Sequence, residues 1–121
     1  MNEQQLFKII KRYIPDLERT DQYNPKDAYS KYYNLSIELK CRDRHYNQLL
    51  IEKMKWDNLI LNDNVRYICS TPLGIYSFNL HKINEPIWFE KLLPHTTEFK
   101  DTDNIYKLVG YLDILDATII I

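Results

Sequence analysis

Glycine is nearly absent from this chain: Gly74 and Gly110 are its two glycines in 121 residues. That scarcity excludes a glycine-rich phosphate cradle, and no GxxxxGK, GxGxxG or GxSxG pattern occurs. Cysteine is equally scarce. Cys41 and Cys69 fall in segments that read as strand interiors, with no Cys/His repeat of zinc-binding spacing nearby, so both are expected as buried, reduced thiols. No apolar run approaches the roughly 20 residues needed to cross a bilayer. The opening MNEQQLFKIIKRYIPDL lacks the unbroken apolar core of a signal peptide, which makes a cytoplasmic location away from membranes the expectation. His45, His81 and His95 are scattered without a partner at ligand spacing and are expected to be structural or exposed.

An excess of charge of either sign is also missing. Sixteen Lys and Arg face seventeen Asp and Glu, for a net charge of −1 and a pI of about 6.3. Bulk electrostatics therefore do not advertise nucleic-acid binding. The local distribution differs. Between residues 40 and 55 the chain gathers Lys40, Arg42, Arg44, Lys53 and Lys55 with His45, against Asp43 and Glu52, enough for a basic patch. What is plentiful is ordinary: 45% hydrophobic and 27% charged residues describe a globular chain, and the length suits a single domain spanning 1–121. Abundant Asn, Lys, Ile and Tyr is the usage of an AT-rich coding sequence, pointing to a phage or an AT-rich bacterium and so to a bacterial cytoplasm.

Hydrophobic spacing predicts the elements. Leu6, Ile9, Ile10, Tyr13 and Leu17 form a helical stripe that Pro15 interrupts, ending or kinking the first helix near Tyr13. Thr20 to Lys26 is a loop, Asp27 to Tyr29 is extended, and Ser30 to Asn34 turns the chain. Leu35 to Arg42 is the clearest strand: Leu35, Ile37, Leu39 and Cys41 alternate with Ser36, Glu38, Lys40 and Arg42, giving one core face and one polar face. His45 to Leu61 reads as a second helix, with Gln48, Glu52 and Lys55 on its polar stripe. Val65 to Ser70 and Ile75 to Leu80 read as a hairpin, Glu85 to Leu93 as a short helix, and Tyr106 to Ile121 as one or two strands. The apolar end from Ala117 to Ile121 either completes the sheet or lies in a subunit interface. The order implies an α/β (mixed α+β) fold, a central mixed sheet flanked by helices.

Phosphodiester hydrolysis needs an activated water, a cation to absorb charge on the phosphate, and help for the leaving alkoxide. Glu38 and Lys40, two apart on one strand, project from the same face, and the short segment at Asp27 is placed to pair beside them. Asp27 and Glu38 are the expected ligands of Mg²⁺ (or Mn²⁺), with the Glu38 main chain or its neighbour Leu39 adding a carbonyl. Lys40 is expected to orient or deprotonate the attacking water and offset developing negative charge. Read blandly, the same E-x-K triplet is an exposed cross-strand pair. Arg42, Arg44, Gln48, Lys53 and Lys55 are candidate DNA contacts, against a reading as a solvated rim. Tyr29, Tyr32 and Tyr33 could stack on bases, but turn packing is the plainer use.

The run Pro25-Lys26-Asp27, then Glu38-Leu39-Lys40, then a helix and a hairpin, resembles the PD-(D/E)XK nuclease superfamily over roughly Asp27 to Leu80. The resemblance implies a restriction-endonuclease-like fold, with Asp27 and Glu38 binding Mg²⁺ and Lys40 assisting the nucleophile. Two features depart from the pattern. Lys26 separates the proline from the aspartate, and the acid often found on the first helix has only Glu3, Asp16 and Glu18 as candidates. The superfamily often brings a polar residue from the following helix to the site, here Gln48, Glu52 or Lys55. The implied activity is a Mg²⁺-dependent endonuclease of small phage type acting on DNA, with junction or branched DNA as a candidate substrate and a homodimer as the working form. The rivals are an inactive nuclease-fold binding module and an unrelated α+β interaction protein, such as an inhibitor of host enzymes.

Overall fold

The structure is a computed structural model that describes residues 1–21, 26–94 and 104–120. In chain order the elements are α1 (Glu3–Tyr13), β1 (Glu18–Arg19), β2 (Ala28–Ser30), β3 (Leu35–Cys41), β4 (Gln48–Glu52), α2 (Lys53–Leu59), β5 (Val65–Thr71), β6 (Gly74–Phe78), β7 (Phe89–Pro94), β8 (Asn104–Asp113), a 3-10 turn (Ile114–Asp116) and β9 (Thr118–Ile119). None of the described helices is long and apolar enough to cross a membrane.

Helix α1 starts where its sequence provides a reciprocal cap. The Asn2 side chain accepts from the Gln5 amide and the Gln5 side chain accepts from the Asn2 amide, both at 2.8 Å. It ends at Tyr13, short of Pro15, and buries Leu6 and Ile10.

Two sheets follow. The larger has the order β1-β2-β3-β5-β6-β9, with β3 and β5 parallel and the other neighbours antiparallel. A parallel pair needs a long connection, which β4 and α2 supply. The smaller sheet, β4-β8-β7, is antiparallel throughout. One core joins α1 to the large sheet through Leu6, Ile10, Ile37, Leu39 and Ile68. A second joins Trp56 and Leu59 of α2 and Leu49 and Ile51 of β4 to Tyr67, Cys69 and Phe78. Each large apolar side chain buried this way contributes about 1.5–3 kcal/mol.

Three expectations are corrected. His45 to Leu61 is not one helix: Gln48–Glu52 is strand β4 and the helix is confined to Lys53–Leu59. Leu49 and Ile51 alternate into the core while the ladder to β8 satisfies their backbone, and this outweighs the helix propensity of their neighbours. Glu85 to Leu93 is likewise not a helix, because Phe89–Pro94 pairs with β8 as strand β7. The bland reading of the E-x-K triplet as an exposed pair fails as well: Ser36 and Glu38 are 3% and 7% exposed, since β3 is an interior strand between β2 and β5. Of the two thiols, Cys69 is buried and Cys41 half-buried, both free. The C-terminal run completes the sheet through the pairing of β9 with β6. Pro25, most of the first loop, His95 and Ile121 lie outside the described residues.

Candidate active site

Strand pairing brings the two acids together. The antiparallel register sets Ala28 opposite Ile37 and Tyr29 opposite Ser36, so Asp27, the residue just before β2, lies at the end of the ladder beside the Ile37–Leu39 stretch that contains Glu38. The start of β2 is fixed by the Asp27 amide donating to the Ile37 carbonyl at 2.9 Å and the Thr20 amide donating to the Asp27 carbonyl at 3.0 Å. One carboxylate oxygen of Asp27 accepts from the Leu39 amide at 2.8 Å. The amide and carbonyl of a strand residue project to the same side, so the Leu39 carbonyl also points toward Asp27.

Glu38 is the unusual group. Burial, then the neighbouring charge of Asp27, push its carboxyl up to about 8, while the ammonium of Lys55 pulls the other way. Lys55 Nζ lies 3.0 Å from Glu38 Oε1, and the second oxygen, Oε2, is buried without a hydrogen-bond partner. Asp27 acts on Glu38 as a neighbouring like charge, which disfavours two ionised carboxylates side by side unless a cation joins them.

A third acid comes from α1. Glu3 is raised by partial burial first and then by the charge of Asp27, against the opposing pull of Arg19; Arg19 Nη2 lies 3.5 Å from Glu3 Oε2. Glu3 is therefore the first-helix acid that reaches the centre. Asp16 does not, since it accepts from the Ser30 hydroxyl at 2.7 Å and the Tyr32 amide at 2.9 Å and fastens the turn before β3. Glu18 is exposed on β1. Only position in the first turn distinguished Glu3 in the sequence.

Lys40 follows Glu38 on the same strand face, half-buried opposite Cys69 of β5. The proposed DNA contacts divide. Arg42 turns inward, its guanidinium donating to the Leu50 carbonyl of β4, and Lys53 pairs with Asp57 at 2.7 Å. Arg44 and Gln48 are exposed, and Lys55 alone of the five touches the acidic centre. Glu52 pairs with Lys107 at 2.8 Å instead. Tyr32 and Tyr33 stand edge to face at 4.8 Å on the turn, and Tyr29 donates to Asn34 at 2.7 Å.

No family model matches the sequence, and no curated protein matches it. Among solved structures, the 1.6 Å structure of Hjc, a Holliday junction resolvase from the archaeal hyperthermophile Archaeoglobus fulgidus, matches with a TM-score of 0.62 and 10% identity, covering 98% of this chain and 91% of that one. The fold is restriction-endonuclease-like. Within this restriction-endonuclease-like frame, Glu38 lies on β3 and Asp27 immediately before β2, its neighbour in the central sheet, with Glu3 on α1.

A buried carboxylate oxygen without a partner, beside a second carboxylate, is a donor set short of positive charge. Its donors are hard oxygens, which suit Mg²⁺ or Mn²⁺ rather than zinc. Among the described residues no group of three His, Cys, Asp or Glu is placed to hold a metal ion, so an ion here would rest on Asp27 and Glu38 with backbone and water. Mg²⁺ does not ask for a closed cage, because it keeps several waters and binds through one or two carboxylates. The residues fit the ion.

Proposed function

We propose that this chain is a divalent-metal-dependent endonuclease that hydrolyses DNA phosphodiester bonds, with branched or junction DNA as its substrate class. The observation that carries the reading is the buried Glu38 carboxyl beside an Asp27 carboxylate that the Leu39 amide holds at 2.8 Å, with Lys40 next along the same face of β3, in a restriction-endonuclease-like frame. Asp27, Glu38 and the Leu39 carbonyl would hold Mg²⁺. When bound, the ion supplies charge to the phosphate oxygens and acidity to a water. The Leu39 amide keeps Asp27 aimed at Glu38, and the buried sheet fixes the Glu38 carboxylate. Lys40, rooted on a rigid interior strand, orients the attacking water and offsets the charge that grows on the phosphate. Glu3 adds a further acid from the helix side.

The likeness to a junction resolvase supports the substrate class. Cutting two strands of a junction takes two centres, so the working form is a homodimer of single-domain chains. The AT-rich residue usage supports a phage-type enzyme working in the host cytoplasm.

Purified protein incubated with Mn²⁺ or Mg²⁺, a fluorescent four-way junction and supercoiled plasmid tests the reading. Junction cleavage is expected, and Glu38→Ala and Lys40→Ala should each lower its rate by at least about a hundredfold. Equal cleavage by wild type and both variants identifies a contaminant and overturns the proposal. Metal binding without cleavage of either DNA points to a nuclease fold retained for binding alone.

A further inference from the structure

Glu38 has a cation within the chain itself. Lys55 reaches down from α2, the helix that carries the crossover between β3 and β5, to within 3.0 Å of Oε1. The two partners are held unequally: the Glu38 side chain is 10% exposed and that of Lys55 37%. The acid is fixed in the sheet and the lysine is the partner able to leave. Lys53, one turn face away, is occupied by Asp57, so Lys55 is the one lysine ion-paired to the centre among the described residues.

We propose that Lys55 is a resident counter-ion of the acidic centre: it neutralises Glu38 until a divalent cation displaces it, and the released ammonium then holds a DNA phosphate beside the scissile bond. This inference rests on the nuclease reading. An ammonium hydrogen and a metal ion compete for the same carboxylate lone pairs, and their charges repel at a few ångströms in a partly dehydrated site. The flexible stem of a lysine rooted on a helix surface lets the head group move to solvent while the stem stays packed. Once outside, its strongest available partner is the phosphate that the same centre receives. Metal and DNA binding are thereby coupled in the favourable sense, because the ion frees a DNA contact as it enters.

Mn²⁺ titrated calorimetrically into DNA-free wild type, Lys55→Met, Lys55→Gln and Lys55→Arg, all matched by far-UV circular dichroism, tests the exchange. Lys55→Met and Lys55→Gln should bind Mn²⁺ at least about threefold more tightly than wild type, with Lys55→Arg close to wild type. A role confined to anchoring α2 would weaken metal binding instead. Affinity for a fluorescent four-way junction is then measured with and without Ca²⁺. Wild type and Lys55→Arg should gain affinity on adding Ca²⁺, and the two neutral variants should lose most of that gain. Unchanged or weaker Mn²⁺ binding by folded Lys55→Gln, or an undiminished Ca²⁺ gain, overturns the counter-ion role alone. A wild type that binds no Mn²⁺ overturns this role and the nuclease reading together.

Discussion

At the scale of single residues, Glu38 couples chemistry to stability. Its carboxyl lies at about 8 in the folded chain against 4.5 for the ordinary group. The folded state therefore binds more protons than the unfolded state between those values, and stability must fall as pH rises through that window. The sign is opposite to that of an ordinary salt-bridged acid. In metal-free buffer, the unfolding free energy should drop by a few kcal/mol between pH 5 and pH 8.5. Glu38→Gln should flatten the profile and be the more stable protein at pH 8, while losing DNA cleavage. Thermal unfolding across that pH range decides, and a wild-type profile as flat as the variant's would contradict the buried acid. A buried acid this costly argues for function, since a neutral amide would stabilise the same position.

At the scale of elements, the smaller sheet depends on close approaches. A methyl group added at Gly110 on β8 would meet the Pro86 Cβ at 2.5 Å and Trp88 ring atoms at 3.1 Å. Gly110→Ala should therefore cost about 1–3 kcal/mol, seen as a lower urea midpoint at unchanged slope. Arg42 makes a second such tie, donating its side chain to Leu50 and its amide to the Ser70 carbonyl at 2.8 Å. Arg42→Met should lose about 1–3 kcal/mol of stability and leave junction affinity within about twofold, because the group turns inward; a large loss of affinity would restore it as a phosphate contact. These same elements explain what the sequence revealed. Strand β3 was legible because Leu35, Ile37 and Leu39 alternate strictly, and Asp27 followed from the short extended segment before it. Strand β4 was not, because Leu49-Leu50-Ile51 is a continuous apolar run that suits helix and strand alike until β8, more than fifty residues later, supplies a partner. Strand β7 was hidden for the same reason, its Pro86 imitating a helix start. Lys55 was placed near the centre on a helix drawn too long, and the shorter α2 still delivers it.

At the scale of the whole molecule, a net charge of −1 limits how the chain can hold DNA. With Arg42 turned inward and Lys53 paired, the lysines and arginines left between residues 40 and 55 are Lys40, Arg44 and Lys55. Junction affinity should fall with salt at a shallow logarithmic slope of about −3 per chain, measured by anisotropy across a salt series. A slope twice as steep would place a further basic surface in contact with the duplex arms. Behind the acidic centre, β5 contributes one more consequence. Burial pushes the Cys69 thiol up to about 12, and it shares the inner core with Tyr67 and Phe78. An alkylating reagent at pH 8 should modify half-buried Cys41 promptly and reach Cys69 only when the strands part. The slow reaction makes that sulfur a built-in clock for how often the catalytic sheet breathes, and a ligand that tightens the centre should slow its ticking.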